Sequence, residues 1–333
     1  MSDARIGLGS GEEFDRIRGF LADAPALHPE VLLGPGDDAA VLAPDLVISA
    51  DLSVEGIHFR LDWLSAREAG ARATIAALSD LAAMGAEPIG VLVSVASAGR
   101  VPATEAMEGV KAVLESTGAS LLGGDLTRSP GPLLLDVVAV GRTSAPLLRS
   151  GARAGDELWV TGVLGGAAAA VALWSGGLAP PDSLRLAFAA PRARIAEARW
   201  LLDRFPVRAG LDLSDGLAGD AGHLAAASEV GVVLEEGMIP MHPELLGERL
   251  PPGHTPLELA IHGGEDYELL LAVEPGGIGP EGVEEFGECF DLRLSRVGRV
   301  TEGAGVGMAP ADGGPVVRLP RGGYDHFAEG ESP

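Results

Sequence analysis

Ala209-Gly210-Leu211-Asp212-Leu213-Ser214-Asp215-Gly216-Leu217 is the stretch on which the fold turns. Ala209 to Leu213 is apolar and reads as a strand. A helix is expected at once behind it, from Asp215 to Ser228, with Asp215 near its N-terminus. On the extended backbone Asp212 and Ser214 project to one side and Leu213 to the other. Asp is a poor strand former and is rarely buried without a partner, so acids placed here need a physical reason. A short acid beside Gly or Ser, mostly where an apolar run stops, recurs at Gly36-Asp37-Asp38, Ser49-Ala50-Asp51, Ser79-Asp80, Gly123-Gly124-Asp125 and Gly263-Gly264-Glu265-Asp266. Carboxylates next to residues that let the backbone approach closely form the donor set of a hard cation. If they converge, they hold several Mg²⁺ ions against a polyphosphate.

Outward from this stretch, strands and helices alternate. Upstream, a helix is expected over Glu13 to Ala22 and a short apolar run at Val31 to Leu33. Ala39 to Leu42 and Leu46 to Ala50 form a hairpin about Pro44-Asp45, with Asp51 at its end. Ala66 to Met84 is a long helix whose Ala69, Ala73, Ala76, Ala77 and Leu81 make a small-residue stripe, stopped by Gly85 and Pro88. Strands follow at Ile89 to Ala96, Ser120 to Leu122 and Leu133 to Val140, with a helix over Thr104 to Thr117. A turn-rich stretch, 142–156, separates these from a second alternation: a strand at Leu158 to Thr161, helices at Gly165 to Trp174 and Arg192 to Leu202, and strands at Gly231 to Leu234 and Glu268 to Val273. Both halves mix strands with helices, so the expected fold class is α/β, or mixed α+β, in two domains, 1–145 and 146–333. The 333 residues suit about two domains of roughly 150 each.

Composition narrows the chemistry. The 48 acidic residues outnumber 24 basic ones, for a net charge of -24, which argues against nucleic acid as a partner. No apolar run is long enough to span a membrane, and Met1-Ser2-Asp3-Ala4-Arg5 lacks a basic region followed by an apolar one, so no signal peptide is expected. Cys289 is the one cysteine, so neither an intramolecular disulfide nor a Cys-rich metal site is expected, and a reducing cytoplasm is the expected compartment. Lys111 is the one lysine and stands in a helical stretch. A phosphate-binding loop needs a lysine after its glycines, and a protein-kinase fold needs one on a strand. If ATP is handled, its charge is met by metal ions, arginines and backbone N–H groups.

The motifs together resemble the thiamine-monophosphate kinases, in the superfamily shared with aminoimidazole ribonucleotide synthetase and selenophosphate synthetase. The resemblance is carried, in family order, by Gly36-Asp37-Asp38-Ala39-Ala40, Asp51-Leu52-Ser53-Val54-Glu55-Gly56-Ile57-His58-Phe59, Leu78-Ser79-Asp80-Leu81-Ala82-Ala83-Met84-Gly85, Gly123-Gly124-Asp125-Leu126-Thr127-Arg128 and Arg149-Ser150-Gly151-Ala152. Further along it continues in Leu211-Asp212-Leu213-Ser214-Asp215-Gly216-Leu217, Gly263-Gly264-Glu265-Asp266-Tyr267-Glu268-Leu269 and Gly323-Tyr324-Asp325-His326-Phe327. It implies a two-domain fold like that of aminoimidazole ribonucleotide synthetase, with the N-terminal sheet pairing across a homodimer. The activity it implies is transfer of the ATP γ-phosphoryl to thiamine monophosphate, with several Mg²⁺ ions as cofactors.

Carried onto this sequence, the resemblance makes Asp38, Ser49, Ala50, Asp51, Asp80, Asp125, Asp212 and Asp215 metal ligands. Ala50 stands where relatives often have Thr, so only its carbonyl is available; Ala77 stands where they often have Asn. Asp51, Asp80 and Asp212 would carry the catalysis. Gly124, Asp125, Arg149 and Ser214 would contact ATP, and His58, Glu265 and Tyr324 the acceptor. Each has a plainer role to weigh: turn or strand-end capping for the acids, helix capping for Asp215, a solvated linker arginine for Arg149 and a structural histidine for His58. Asp80 fits its plain role poorly, because an acid near a helix C-terminus opposes the helix dipole. His262 and Cys289 read as structural. The alternatives are another enzyme of the superfamily with a different acceptor, or a non-enzymatic acidic cation-binding protein. A selenophosphate synthetase would carry a reactive Cys and a Lys near the N-terminus, and a calcium sensor a compact acidic loop closed by Glu; this chain has neither pattern.

Overall fold

The computed structural model describes residues 12–22, 25–247, 250–251 and 253–320. The first half contains α1 (Glu12–Ala22), β1 (Val31–Leu33), β2 (Ala40–Leu42), β3 (Leu46–Val54), α2 (Ala66–Ala83), β4 (Glu87–Ser97), α3 (Arg100–Thr117), β5 (Ser120–Arg128) and β6 (Leu134–Arg142). The second contains β7 (Glu157–Thr161), α4 (Gly166–Ser175), α5 (Asp182–Ala189), α6 (Ile195–Arg204), β8 (Val207–Asp212), α7 (Leu217–Ala227) and β9 (Gly231–Glu235). It continues through α8 (Pro256–His262), β10 (Leu269–Val273), α9 (Pro280–Phe290), β11 (Leu294–Thr301), β12 (Gly305–Ala309) and β13 (Val317–Arg318). The expected mixed α/β class is what the chain adopts.

The first sheet has the order β1-β2-β3-β6-β4-β5. Its inward residues alternate along each strand: Val47, Ser49 and Ser53 on β3, Leu135, Val137 and Ala139 on β6, Val91, Val93 and Val95 on β4. α2 lies on this face. Its start is fixed by a capping box between Ser65 and Glu68, and its buried alanines let it seat closely on β3 and β6. The opposite face carries exposed Leu52 and Leu92, and every residue of the edge strand β5 is exposed.

Two strands outrun the sequence-based expectation. β3 does not stop at Asp51; it pairs with β6 along its whole length to Val54, so Asp51 lies inside a strand. Gly123-Gly124-Asp125 likewise lies within β5, held in parallel register with β4 from Leu92–Gly123 to Ser97–Arg128. Backbone pairing with a long neighbour decides strand length here, and composition alone does not carry that information.

The second sheet has the order β13-β12-β9-β11-β7-β10-β8. Leu211, Leu213, Leu217 and Leu224 pack with Leu270 in one core. Leu201, Leu271 and Phe286 form another. α4 and α5 do not serve this sheet alone: Ala170, Leu173, Leu184 and Phe188 join the same core cluster as Ala73 and Leu135 of the first half. Trp63 stacks on Trp174 with ring centroids 5.1 Å apart, and Phe188 meets Trp174 edge-on. The two halves thus share a core beside the end of β8, where Asp212 stands. Among the described residues no helix is long and apolar enough to cross a membrane.

Candidate active site

Three acids from separate elements meet where the halves join. Asp38 comes from the bend between β1 and β2, Asp80 from the last turn of α2, and Asp212 from the end of β8. One oxygen from each lies within 4.8 Å of the others. Ser49 on β3 donates its hydroxyl to Asp80 Oδ2. Ser79 donates to Asp212 Oδ2 at 2.7 Å. Arg149 donates from Nε at 3.1 Å and Nη2 at 2.5 Å to Asp38 Oδ1, while its backbone N–H reaches both Asp37 oxygens at 3.3 and 3.2 Å. Ser228, just past α7, accepts from the Ala152 amide and donates to the Arg149 carbonyl, fixing the linker that carries Arg149.

The cluster is unfavourable for its own charge. Burial, and then Asp212, Asp38 and Asp51, raise the Asp80 pKa well above the usual carboxylate range. Burial and Asp38 push Asp212 up to about 7, with Ser79 opposing. Burial, with Asp38 next to it, takes Asp37 to about 7. Burial takes Asp51 to about 6 against the pull of Arg72. Burial opposes the Arg149 charge, but Asp38, Asp37 and Asp212 together outweigh it and the guanidinium is held above its ordinary value. Asp38 Oδ2 is buried and has no hydrogen-bond partner among the described residues. An orphan carboxylate oxygen among hard oxygen donors fits a divalent cation of the Mg²⁺ type, which would replace the missing partner and offset the repulsion.

Asp215 does not join these three. It groups instead with Asp220 and His223 of α7, one ligand atom of each within 4.8 Å of the others. Its backbone N–H donates to Asp220 Oδ2 at 3.1 Å. Burial raises the pKa of Asp220 well above its usual value, with Asp215 adding to the effect, and burial lowers His223 to about 4. Neither Asp220 nor His223 figured in the sequence analysis. Their positions five and eight residues after Asp215, on the helix that follows it, were the available signal.

The acceptor candidates are dispersed. Glu265 is in the loop before β10, and its N–H donates to the Ser214 carbonyl at 2.8 Å. Gly264 makes that approach possible, since a Cβ there would stand 2.2 Å from the Ser214 oxygen. Glu265 Oε2 accepts from Tyr267 at 2.9 Å and from Arg72 of α2. Arg72 was also missed; its signal was its place on the helix of Asp80, eight residues earlier. His58 lies in the turn after β3, where Nδ1 accepts from the Val54 amide at 3.1 Å. Tyr324 lies outside the described residues.

Asp125 and Ala50 also stand apart from the acid cluster. Asp125 is exposed and in register with Ser94, on the outer face of the first sheet. It lines a hollow of about 480 Å³ with Leu52, Thr127 and Asp136. Gly124 has a structural cause of its own, because a Cβ there would lie 1.8 Å from the Val93 carbonyl of β4. Ala50 exposes its methyl on the same outer face. Of the plainer assignments, His262 closes α8 and Cys289 is an exposed residue of α9.

This fold, with acids gathered between its halves, defines an AIR synthase related protein. The family's N-terminal domain model matches residues 36–143 and its C-terminal domain model residues 153–309. The thiamine-monophosphate kinase of Methanopyrus kandleri is 35% identical over 298 residues, covering 89% of this chain and 91% of its own. Among solved structures, AaThiL complexed with AMPPCP and TMP superposes with a TM-score of 0.78 at 28% identity, covering 94% of this chain and 95% of that one. The thiamine-monophosphate kinase of Stenotrophomonas maltophilia K279a gives a TM-score of 0.73 at 34% identity, covering 92% and 97%. The chain belongs to the thiamine-monophosphate kinase family.

Proposed function

We propose that this enzyme phosphorylates thiamine monophosphate with ATP, giving thiamine diphosphate and ADP by direct in-line transfer. The observation that carries the reading is the convergence of Asp38, Asp80 and Asp212, with Asp38 Oδ2 buried and unpartnered among the described residues. Bringing an ATP tail beside a monophosphate gathers about five or six negative charges, so catalysis is mainly positioning and neutralisation. The acceptor oxygen is already anionic at neutral pH, and no strong general base is needed.

In this reading Asp38, Ser49, Asp51, Asp80 and Asp212 hold several Mg²⁺ ions, with the Ala50 carbonyl and Asp215 as further ligands. Bound there, the ions supply neutralisation of phosphate charge. Arg149, already drawn to Asp38, and Ser214 contact the nucleotide phosphates. Glu265 receives the aminopyrimidine, with His58 and Tyr324 completing the acceptor site. The division at 145/146 assigns cation and ATP binding to the first domain and completion of both sites to the second.

Asp125 and Gly124 enter this scheme through a homodimer. The exposed edge strand β5, with Leu122 and Leu126 unshielded, supports pairing of first-half sheets, which would bring the Asp125 face against a second copy. ATP as co-substrate and the single cysteine support a cytoplasmic setting.

The test is incubation with ATP, Mg²⁺ and either thiamine monophosphate or free thiamine, with products separated by chromatography. The reading expects thiamine diphosphate from the monophosphate alone. A product from free thiamine would identify a different kinase.

A further inference from the structure

Arg72 is only 4% exposed, on the inner face of α2. A guanidinium in such a place is costly, and burial lowers its pKa. Four residues compensate for it. It donates to the Phe188 carbonyl and to Glu265 Oε2, and its Cζ lies 3.9 Å from the Phe188 ring centroid and 5.5 Å from that of Tyr267. The negative charge of Asp51 also favours the guanidinium.

The partner carboxylate is held just as firmly. Arg72 and the Tyr267 hydroxyl both donate to Oε2 of Glu265, and no described residue donates to Oε1. The side chain keeps 30% of its surface exposed. Glu265 and Tyr267 adopt φ of 73° and 52°, left-handed values that cost energy outside glycine, and their amides are tied to the Ser214 and Leu213 carbonyls at 2.8 Å. A strained loop clamped at both its backbone and one carboxylate oxygen offers the other oxygen in a fixed direction.

We propose that Arg72 is a positioning residue for the acceptor. It orients Glu265 so that Oε1 receives the amino group of a heteroaromatic ring. It stands on α2, the helix that also carries Asp80, eight residues along. This inference rests on the thiamine monophosphate reading and assigns to it a residue outside both the metal and the nucleotide sets.

The experiment is steady-state kinetics on Arg72→Gln, Glu265→Gln, the double variant and Arg72→Lys, with both substrates varied and melting temperatures recorded. Arg72→Gln should raise KM for thiamine monophosphate by about ten-fold or more while KM for ATP moves by less than about two-fold. The double variant should be no worse than the poorer single one, because both remove the same contact. Arg72→Lys should recover part of the loss. Equal shifts in both KM values, or fully additive losses, would overturn the proposal and leave Arg72 a core ion pair. If Arg72→Gln does not fold, Tyr267→Phe removes the second donor to the same oxygen; a raised acceptor KM supports the proposal and an unchanged one refutes it. A wild-type enzyme that makes no thiamine diphosphate defeats the functional reading and this inference with it. An active wild type with an unresponsive Arg72→Gln defeats this inference alone.

Discussion

The Ser79 hydroxyl donates to Asp212 Oδ2 at 2.7 Å, across the junction between α2 of the first half and β8 of the second. This bond holds a buried acid from the second half in register with Asp80 on the same turn of α2. Ser79→Ala should leave the fold intact, since a hydroxyl is lost without a large cavity. Turnover at low Mg²⁺ should fall by about ten-fold, the size of one hydrogen bond to a charged group, and recover at high Mg²⁺. A Mg²⁺ titration of initial rates measures this directly.

Asp212→Asn keeps the shape and removes the charge. Turnover should fall by about 100-fold or more, in line with loss of one group that neutralises phosphate charge. In the absence of metal the variant should melt at or above the wild-type temperature, because repulsion from Asp38 and Asp80 is relieved. Wild-type-like turnover at saturating Mg²⁺ would remove Asp212 from the scheme.

The raised acids give a pH signature. Asp37 and Asp212 at about 7 and Asp51 at about 6 bind protons more tightly folded than unfolded. Their contribution is therefore full below the unfolded carboxylate value of about 3.9 and is lost as pH rises through 6 to 7. His223, lowered to about 4, works in the opposite sense: its contribution is present above the unfolded histidine value of about 6.5 and is lost as pH falls toward 4. Mg²⁺ competes with protons on the carboxylates, so the melting-temperature gain on adding Mg²⁺ should be larger at pH 8 than at pH 5.5. Calorimetry with and without Mg²⁺ at both values checks it, and an equal gain would contradict a cation site built on these acids.

Leu126, 68% exposed on β5, probes the proposed homodimer. Leu126→Asp should yield a monomer by light scattering and lose activity together with dimerisation. An active monomer would separate catalysis from the second copy and leave Asp125 without a role in it.

Much of this was legible in the sequence because the signals are local. The Ala stripe of α2, the strand before Asp212 and the hairpin about Pro44-Asp45 each follow from spacing over a few residues, and the acids named from their Gly and Ser neighbours include all three that converge. Arg72 was not legible, because its meaning depends on Glu265, far along the chain. Strand lengths at Asp51 and Asp125 were set by pairing with β6 and β4, which no local pattern reports. Gly124 illustrates the converse: its motif pointed to a phosphate, while the approach of β4 accounts for it without a ligand.

The most direct test of the central claim follows the transferred group itself. With ATP labelled in the γ-phosphate, thiamine monophosphate and Mg²⁺, the label should appear in the terminal phosphate of thiamine diphosphate, one for each ADP formed, with none retained on the protein. Label found only in inorganic phosphate, or trapped on the enzyme, would contradict direct transfer between two phosphates at the Asp38–Asp80–Asp212 cluster.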